Sequence, residues 1–391
     1  MMSSMLSLRY GINPHQGQAS ISNGSGALPF KVLNGSPGYI NFLDALNGWQ
    51  LVRELRALLD LPAAASFKHA SPAGAAVGVP LDEPLEQSYW VAGEKLSPLA
   101  AAYARARGAD RISSFGDFIA LSDEVDEATA ELIGPEVSDG VIAPAYSERA
   151  LARLRRKKKG DYIVLQMDAD YEPPRLERRT VFGLTLEQQR NERPVGIDLL
   201  NERVTRETQL PDSAVRDLVL AMVTLKYTQS NSVCLTYGGQ VIGVGAGQQS
   251  RIHCTQLAAE KADRWYLRQH PAVLGLRFKE GLPRPVKDNA IDQFLAPAST
   301  ERERAQWPEF FAQVPQPLSA EQRRAWLQTL RGVSLGSDAY FPFDDSIHRA
   351  ADSGVSYVVQ PGGSVRDELS IRACDGYGMV MVFTGHRLFH H

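Results

Sequence analysis

Ala63-Ala64-Ala65-Ser66-Phe67-Lys68-His69 is a short run of small and apolar residues that ends in a cation and an imidazole. Pro72 and Gly74 follow at once, so the run reads as a strand that breaks into a turn there. Upstream, Asn41-Phe42-Leu43-Asp44 predicts a helix start, with Asn41 as cap and Asp44 reaching back. Phe42, Leu46, Trp49, Val52, Leu55 and Leu59 then recur at helical spacing until Pro62. Downstream, the acidic segment Asp123 to Leu132 reads as helix, and Val141-Ile142-Ala143-Pro144 as strand. Strand and helix in alternation predict an α/β fold.

The second half has the same texture. Val241 to Gly247 is a strand entering a glycine turn, and Ser250 to Leu267 reads as a helix. Residues near 255–331 are charged and Trp-containing, and are expected to form a helical insertion. Beyond them, Ser337-Asp338-Ala339-Tyr340-Phe341, a helix and Val355 to Pro361 echo Ser114-Phe115-Gly116-Asp117-Phe118, a helix and Gly140 to Pro144. This duplication predicts two similar α/β lobes, at 1–190 and 191–391, rather than a solenoid.

At 391 residues the chain has ample length for a large core. Its 42 Lys plus Arg balance 45 Asp plus Glu, a net charge of −3, which leaves no field for nucleic acid or an anionic membrane. Apolar runs are interrupted by charge well before a membrane span, as Arg216 and Asp217 show beside Leu218. No secretory pattern is visible over Met1 to Tyr10. The three cysteines, Cys234, Cys254 and Cys374, lie far apart and support neither a disulfide framework nor a zinc cage. A cytoplasmic enzyme is the expectation.

Four segments could do chemistry. Lys68-His69 offers a base near neutral pH and a fixed cation for developing negative charge, although such a dipeptide alone is commonly an exposed surface pair. Lys226 to Val233, with the glycines 243, 245 and 247 and the helix near Ser250, offers close backbone approach and free N–H groups, with Asn231 and Arg251 as polar readers. It lacks the P-loop and the full dinucleotide fingerprint. Arg9-Tyr10 can clamp a phosphate, and Arg387 beside Phe389 is a second such clamp. The basic run Arg153 to Lys159 is expected to be the solvated end of a helix.

Together these segments resemble the AICAR transformylase family, the formyltransferase part of bifunctional purine biosynthesis proteins. The strings that carry the resemblance are L-R-Y-G-I-N-P-H-Q from Leu8, V-L-N-G-S-P-G-Y-I-N from Val32, S-F-K-H-A-S-P-A-G-A-A-V-G from Ser66 and A-Y-A-R-A-R-G-A-D-R-I-S-S-F-G-D-F from Ala102. V-S-D-G-V-I-A-P from Val137, K-Y-T-Q-S-N-S-V from Lys226, G-A-G-Q-Q-S-R-I-H-C-T from Gly245 and the terminal R-L-F-H-H follow in order.

The resemblance implies transfer of a formyl group from 10-formyltetrahydrofolate to the 5-amino group of AICAR, on two cytidine-deaminase-like lobes. Zinc deaminases of that fold need H-x-E and P-C-x-x-C; His69 is followed by Ala70 and Ser71, so no zinc is expected. By resemblance His69 accepts the proton and Lys68 stabilises the oxyanion. Arg9, Tyr10 and Arg387 would hold the nucleotide, with Gly116, Asp139, Asn231 and Arg251 around ribose and base. Tyr340 stands where relatives carry Phe. Ile252, Asp345, Ser364 and Val365 would face the folate, and Asn41 matches a site asparagine although its own neighbourhood reads as a helix cap. The resemblance further implies a homodimer with composite sites. With only Met1 to Leu8 ahead of Arg9, it implies a transformylase that relies on a separate IMP cyclohydrolase. The alternatives are a silent AICAR-binding protein and a zinc-free hydrolase on the same fold.

Overall fold

The structure is a computed structural model that describes residues 4–24, 26–297 and 299–391; Met1 to Ser3, within the Met1–Tyr10 stretch that shows no secretory pattern, lie outside them. In chain order the first half supplies strands β1 (Phe30–Asn34), β2 (Ala63–Lys68), β3 (Ser71–Val77), β4 (Asp117–Leu121), β5 (Ser138–Ala143) and β6 (Ile163–Met167). Its helices are α1 (Tyr39–Leu59), α2 (Pro98–Gly108), α3 (Glu127–Ile133) and α4 (Glu148–Arg156). The second half supplies β7 (Glu202–Arg203), β8 (Val233–Tyr237), β9 (Gln240–Gly245), β10 (Val333–Ser337), β11 (Val355–Gln360) and β12 (Val380–Phe383). Its helices are α5 (Asp212–Lys226), α6 (Arg251–Leu267), α7 (Asp345–Asp352) and α8 (Asp367–Tyr377).

All twelve strands form one mixed sheet in the order β7-β12-β11-β10-β8-β9-β3-β2-β4-β5-β6-β1. Read outward from the β3–β9 junction, each half repeats the other. An antiparallel hairpin (β2–β3, β8–β9) is followed by three parallel strands (β4–β5–β6, β10–β11–β12) and an antiparallel edge (β1, β7). The helices fall at matching places, giving an α/β protein with helices on both faces of a large mixed sheet. Alternate strand residues feed two cores: Ala63, Ala65 and Phe67 pack with α1 and α5, whereas Ala64, Ile119 and Val141 pack with α2, α3 and α6. Because both faces are covered by helices, the central strands are buried nearly throughout, parallel and antiparallel alike.

Several sequence expectations need correction. The 114–118 and 337–341 segments are not equivalent, because the first enters β4 and the second leaves β10. Helix α1 begins at Tyr39 with Gly38 as cap, three residues before the expected cap at Asn41. Asn41 sits in the first turn, where its Oδ1 accepts the Gly38 N–H at 2.9 Å. Asp44 does not reach back; it crosses to the turn between β2 and β3 and accepts the Ala70 N–H at 2.7 Å. Pro72 and Gly74 do not break the strand, since the turn falls earlier at His69-Ala70 and both lie inside β3. Gly74 is required for contact, because a Cβ there would stand 2.1 Å from the Ala106 carbonyl of α2. Gly243 occupies the corresponding place in β9, 2.1 Å from the Ala258 carbonyl of α6. Helix α6, of which all but the first turn was assigned to the insertion, therefore packs directly on the sheet. The outlying helices, Arg284–Leu295, Glu301–Phe310 and Ala320–Leu327, share a separate core around Phe294, Trp307 and Phe311.

A buried ion network ties that outlying core to the first half. Glu136 accepts from Arg107 Nε at 3.0 Å and Arg111 Nη2 at 2.9 Å, and Arg111 Nε also pairs with Asp288 at 2.9 Å. Burial opposes the charge on Glu136, but Arg111 and Arg107 outweigh it and hold the carboxyl at about 2, below its usual 4.5. The folded chain thus binds this proton more weakly than the unfolded chain. Its contribution is complete above about pH 4.5 and is lost as pH falls towards 2. Chemical denaturation should show about 3 kcal/mol of acid-dependent stability in that window, absent in Glu136→Gln. An unchanged slope in the variant would assign the acid sensitivity elsewhere.

Candidate functional site

The β2–β3 turn is built from two consecutive residues in the left-handed region, His69 at φ 55° and Ala70 at φ 58°. Such backbone costs roughly 1–2 kcal/mol per non-glycine residue and persists only where surrounding structure holds it. Here Asp44 supplies the restraint through the Ala70 N–H. Burial raises the Asp44 carboxyl above its usual range, against the Ala70 hydrogen bond, which lowers it. The turn lets Lys68 and His69 diverge from regular strand geometry and stand at the mouth of one cavity. Lys68 Nζ donates to the Phe115 carbonyl, immediately before Gly116, which itself requires φ 78°. Asp139, at the start of β5, lies near enough for its charge to oppose ionisation of Asp44.

The cavity has a volume of about 560 Å³ and lies between the halves. Lys68, His69, Ser71 and Ser113 line it from the first, and Gln229, Gly247 and Lys261 from the second. Ser71 Oγ accepts the Gln229 N–H at 3.3 Å, and Lys261 pairs with Asp110 at 3.0 Å, so contacts across the seam hold its walls. Of the glycines read as a ligand-approach turn, only Gly247 serves a turn, at φ 65°. Gly243 and Gly245 are covered by the α6 backbone instead.

A second cluster surrounds Asp338, just past β10. Its carboxylate accepts from Ser230 Oγ at 2.6 Å, the Ser232 N–H at 2.9 Å and Ser232 Oγ at 3.0 Å, and pairs with Arg251 Nη1 at 2.6 Å. Arg251 also donates to the Ser232 carbonyl at 2.8 Å and to Asn231 Oδ1 at 3.0 Å. Arg251 and Asp338 are both buried, so the guanidinium is committed to fixing the 230–232 loop. The chain end closes the cluster, with the Leu388 N–H donating to Asp338 O at 2.9 Å and the His390 N–H to Ser230 Oγ at 3.0 Å. Arg387 is exposed with its guanidinium 4.5 Å over the Phe389 ring, and Tyr340 is exposed two residues beyond Asp338. Burial lowers the His390 imidazole from its usual range.

The structure therefore divides the expected residues. Lys68 and His69 line the cavity, with Gly116 and Asp139 beside their turn. Asn231, Arg251, Tyr340 and Arg387 gather around Asp338. Arg9 is exposed and Tyr10 half-buried, with the guanidinium 6.0 Å from the Tyr10 ring, just after the N-terminal strand Met5–Leu8. Ile252 is half-buried on the first turn of α6, and Asp345 opens α7 and accepts the Ser346 N–H at 2.7 Å. The Ser364 N–H donates to Asp367 at 3.0 Å beside a fully exposed Val365. Asn41 remains in the first turn of α1. Of these fifteen expected residues, only Lys68 and His69 open onto the central cavity.

Sequence reasoning missed Asp338 as a hub and Asp44 as the clamp on the turn, since their partners are remote in sequence. It also placed the basic run wholly in solvent. Lys157 is half-buried, where burial lowers its ammonium to about 8, and Lys158 Nζ reaches Asp139 at 2.7 Å. The three cysteines are buried, and among the described residues no cluster of three His, Cys, Asp or Glu side chains is placed to hold a metal ion. No helix among them is long and apolar enough to cross a membrane.

The AICARFT/IMPCHase bienzyme family model matches residues 1–261. The bifunctional purine biosynthesis protein PurH of Cereibacter sphaeroides, in three strains, is 32% identical over 388 residues. That alignment takes in 98% of this chain and 59% of the relative, so the chain spans about three fifths of the length of the curated relatives it matches. The family match and the identity together place the chain in the AICARFT/IMPCHase bienzyme family.

Proposed function

We propose that the chain is a phosphoribosylaminoimidazolecarboxamide formyltransferase, moving the formyl group of 10-formyltetrahydrofolate to the 5-amino group of AICAR in purine biosynthesis. The observation that supports this most is the Lys68-His69 turn, held in left-handed backbone by Asp44 and opening on a cavity between the halves. The amine of AICAR is conjugated with a carboxamide-bearing imidazole and is a weak nucleophile. As its nitrogen attacks the formyl carbon, His69 takes the amine proton, a contribution of typically about 10²–10⁴-fold. Lys68 leaves the Phe115 carbonyl for the formyl oxygen as negative charge develops there. The bond to N10 of the folate then breaks, N10 takes up a proton, and formyl-AICAR and tetrahydrofolate separate.

In this proposal Arg9, Tyr10 and Arg387 hold the phosphate end, with Gly116, Asp139, Asn231, Arg251 and Tyr340 around ribose and base. Ile252, Asp345, Ser364, Val365 and Asn41 meet the folate. Residues 1–190 and 191–391 are read as two cytidine-deaminase-like lobes, and the protein as a cytoplasmic homodimer. Division of the expected residues between the Lys68-His69 turn and the Asp338 cluster is the reason for pairing two chains, so that one copy's turn meets the other's cluster. Incubation with both substrates should release tetrahydrofolate and formyl-AICAR together. Formate in place of formyl-AICAR would make the protein a hydrolase, and binding of AICAR without turnover would make it a silent binder.

A further inference from the structure

Across the parallel pair β4–β5, Asp117 faces Ser138 and Phe118 faces Gly140, so Asp139 is an extra residue in the register. A bulge of this kind bends its strand and re-aims the side chain it carries. Asp139 is half-exposed, and its charge adds to the burial that raises the Asp44 carboxyl, so it lies towards the clamp beneath the His69 turn. The segment after α4 meets Asp139 from another side. Lys158 and Lys159 are consecutive residues in the left-handed region, at φ 49° and 56°. Outside glycine such backbone is costly and persists only where neighbours hold it. Asn34 Nδ2 donates to the Gly160 and Tyr162 carbonyls at 2.8 Å each, and Lys157 Nζ donates to the Glu136 carbonyl. The Tyr162 hydroxyl and Ser138 Oγ are hydrogen-bonded at 2.8 Å, one residue from Asp139. The strained segment thereby delivers Lys158 Nζ to Asp139 Oδ1 at 2.7 Å. An ion pair whose side chains are 39% and 47% exposed adds little to stability, so stability does not account for the strain.

We propose that Lys158 is a positioning residue for substrate selection, fixing the Asp139 carboxylate so that the enzyme reads the 2′-hydroxyl of the AICAR ribose. This rests on the reading that places Asp139 at the ribose. Among the described residues, no donor other than Lys158 is hydrogen-bonded to the Asp139 carboxylate, so Oδ1 is held while Oδ2 is open. An ionised carboxylate only accepts hydrogen bonds, and a sugar hydroxyl is a donor of matching kind. Asp44 and Asp139 are like charges that oppose each other beside the turn. The Lys158 ammonium offsets that repulsion and keeps the Asp139 carboxylate in one place. Loss of the cation frees the Asp139 rotamer, and an acceptor that is not held in place discriminates poorly between a hydroxyl and a hydrogen.

The test compares AICAR with its 2′-deoxyribosyl analogue as acceptors of the formyl group, using the full chain. A hydrogen bond to a charged group is worth about 10–100-fold, so wild type should favour the ribosyl substrate by about that factor in kcat/KM. Lys158→Gly removes the cation and relieves the φ of 49°. It should melt no earlier than wild type and yet shrink the preference to about 3-fold or less, chiefly by raising KM for AICAR. Lys158→Arg keeps a cation on the same strained backbone and should restore most of the preference. A wholly structural role would give the reverse, a lower melting temperature with the preference intact. A preference retained in Lys158→Gly would overturn the inference. So would equal weakening of both substrates, which would make Lys158 a general attractor of the nucleotide's charge. Asp139→Asn separates the inference from the reading beneath it. If that variant loses the preference while Lys158→Gly keeps it, Asp139 still reads the ribose and the inference alone falls. No preference in wild type removes both.

Discussion

His69→Asn and Lys68→Ala should each lower kcat by about 10²-fold or more while the protein stays folded. Asn is the informative replacement at position 69. It tolerates the φ of 55° better than most residues, so the turn survives and only the imidazole is lost. Lys68 is half-buried and its ammonium donates to the neutral Phe115 carbonyl, so truncation leaves no buried charge unpaired. The two losses should not multiply in the double variant, because base and cation act on one transition state. Circular dichroism and steady-state kinetics together make the check. Near-wild-type turnover in both single variants would remove the Lys-His pair from the mechanism.

Asp338→Ala should cost about 3–5 kcal/mol of stability and abolish activity with it. Its carboxylate faces Arg251 at 2.6 Å in a site closed to solvent, and it also fixes Ser230 and Ser232. Removing it strands the guanidinium, and a single buried charge is far more expensive than a matched pair. Adding Arg251→Met to Asp338→Ala should therefore recover part of the stability without recovering turnover, since the loop loses its Asp338 bonds to Ser230 and Ser232 and then the Arg251 bond to Asn231. Denaturant titration of the two single variants and the double variant measures the coupling. A loss below about 1 kcal/mol in Asp338→Ala, or strict additivity, would show the cluster to be loosely held.

How far the sequence could be read differs by element. Alternating strands and helices were legible because the apolar periods are strong, from Phe42 to Leu59 and through Val241 to Gly245. The turn at Lys68-His69 was legible as a turn, but its position was not. Proline and glycine ordinarily punctuate a chain, yet Gly74 is there to let α2 approach, and no local pattern separates a contact glycine from a turn glycine. The same ambiguity misassigned Gly243 and Gly245. Asn41 and Asp44 had the spacing of a cap, but tertiary structure moved the helix start to Tyr39 and gave Asp44 to the Ala70 N–H. Asp338 could not be seen as a hub because Ser230, Ser232 and Arg251 lie roughly a hundred residues before it, in the loop ahead of β8 and in helix α6. Lys158 looked like one more solvated cation until the fold brought Asp139 beside it.

The central claim is that this chain carries a formyl group from folate to an amine through the His69 turn. Mixing excess enzyme with AICAR and 10-formyltetrahydrofolate bearing a ¹³C formyl carbon, and analysing a single turnover by mass spectrometry, tests it most directly. The account predicts the label on the 5-amino nitrogen of AICAR in wild type, with transfer slowed at least about 10²-fold in His69→Asn. Label remaining on the folate or appearing as formate in wild type, or transfer at an equal rate in His69→Asn, would contradict it.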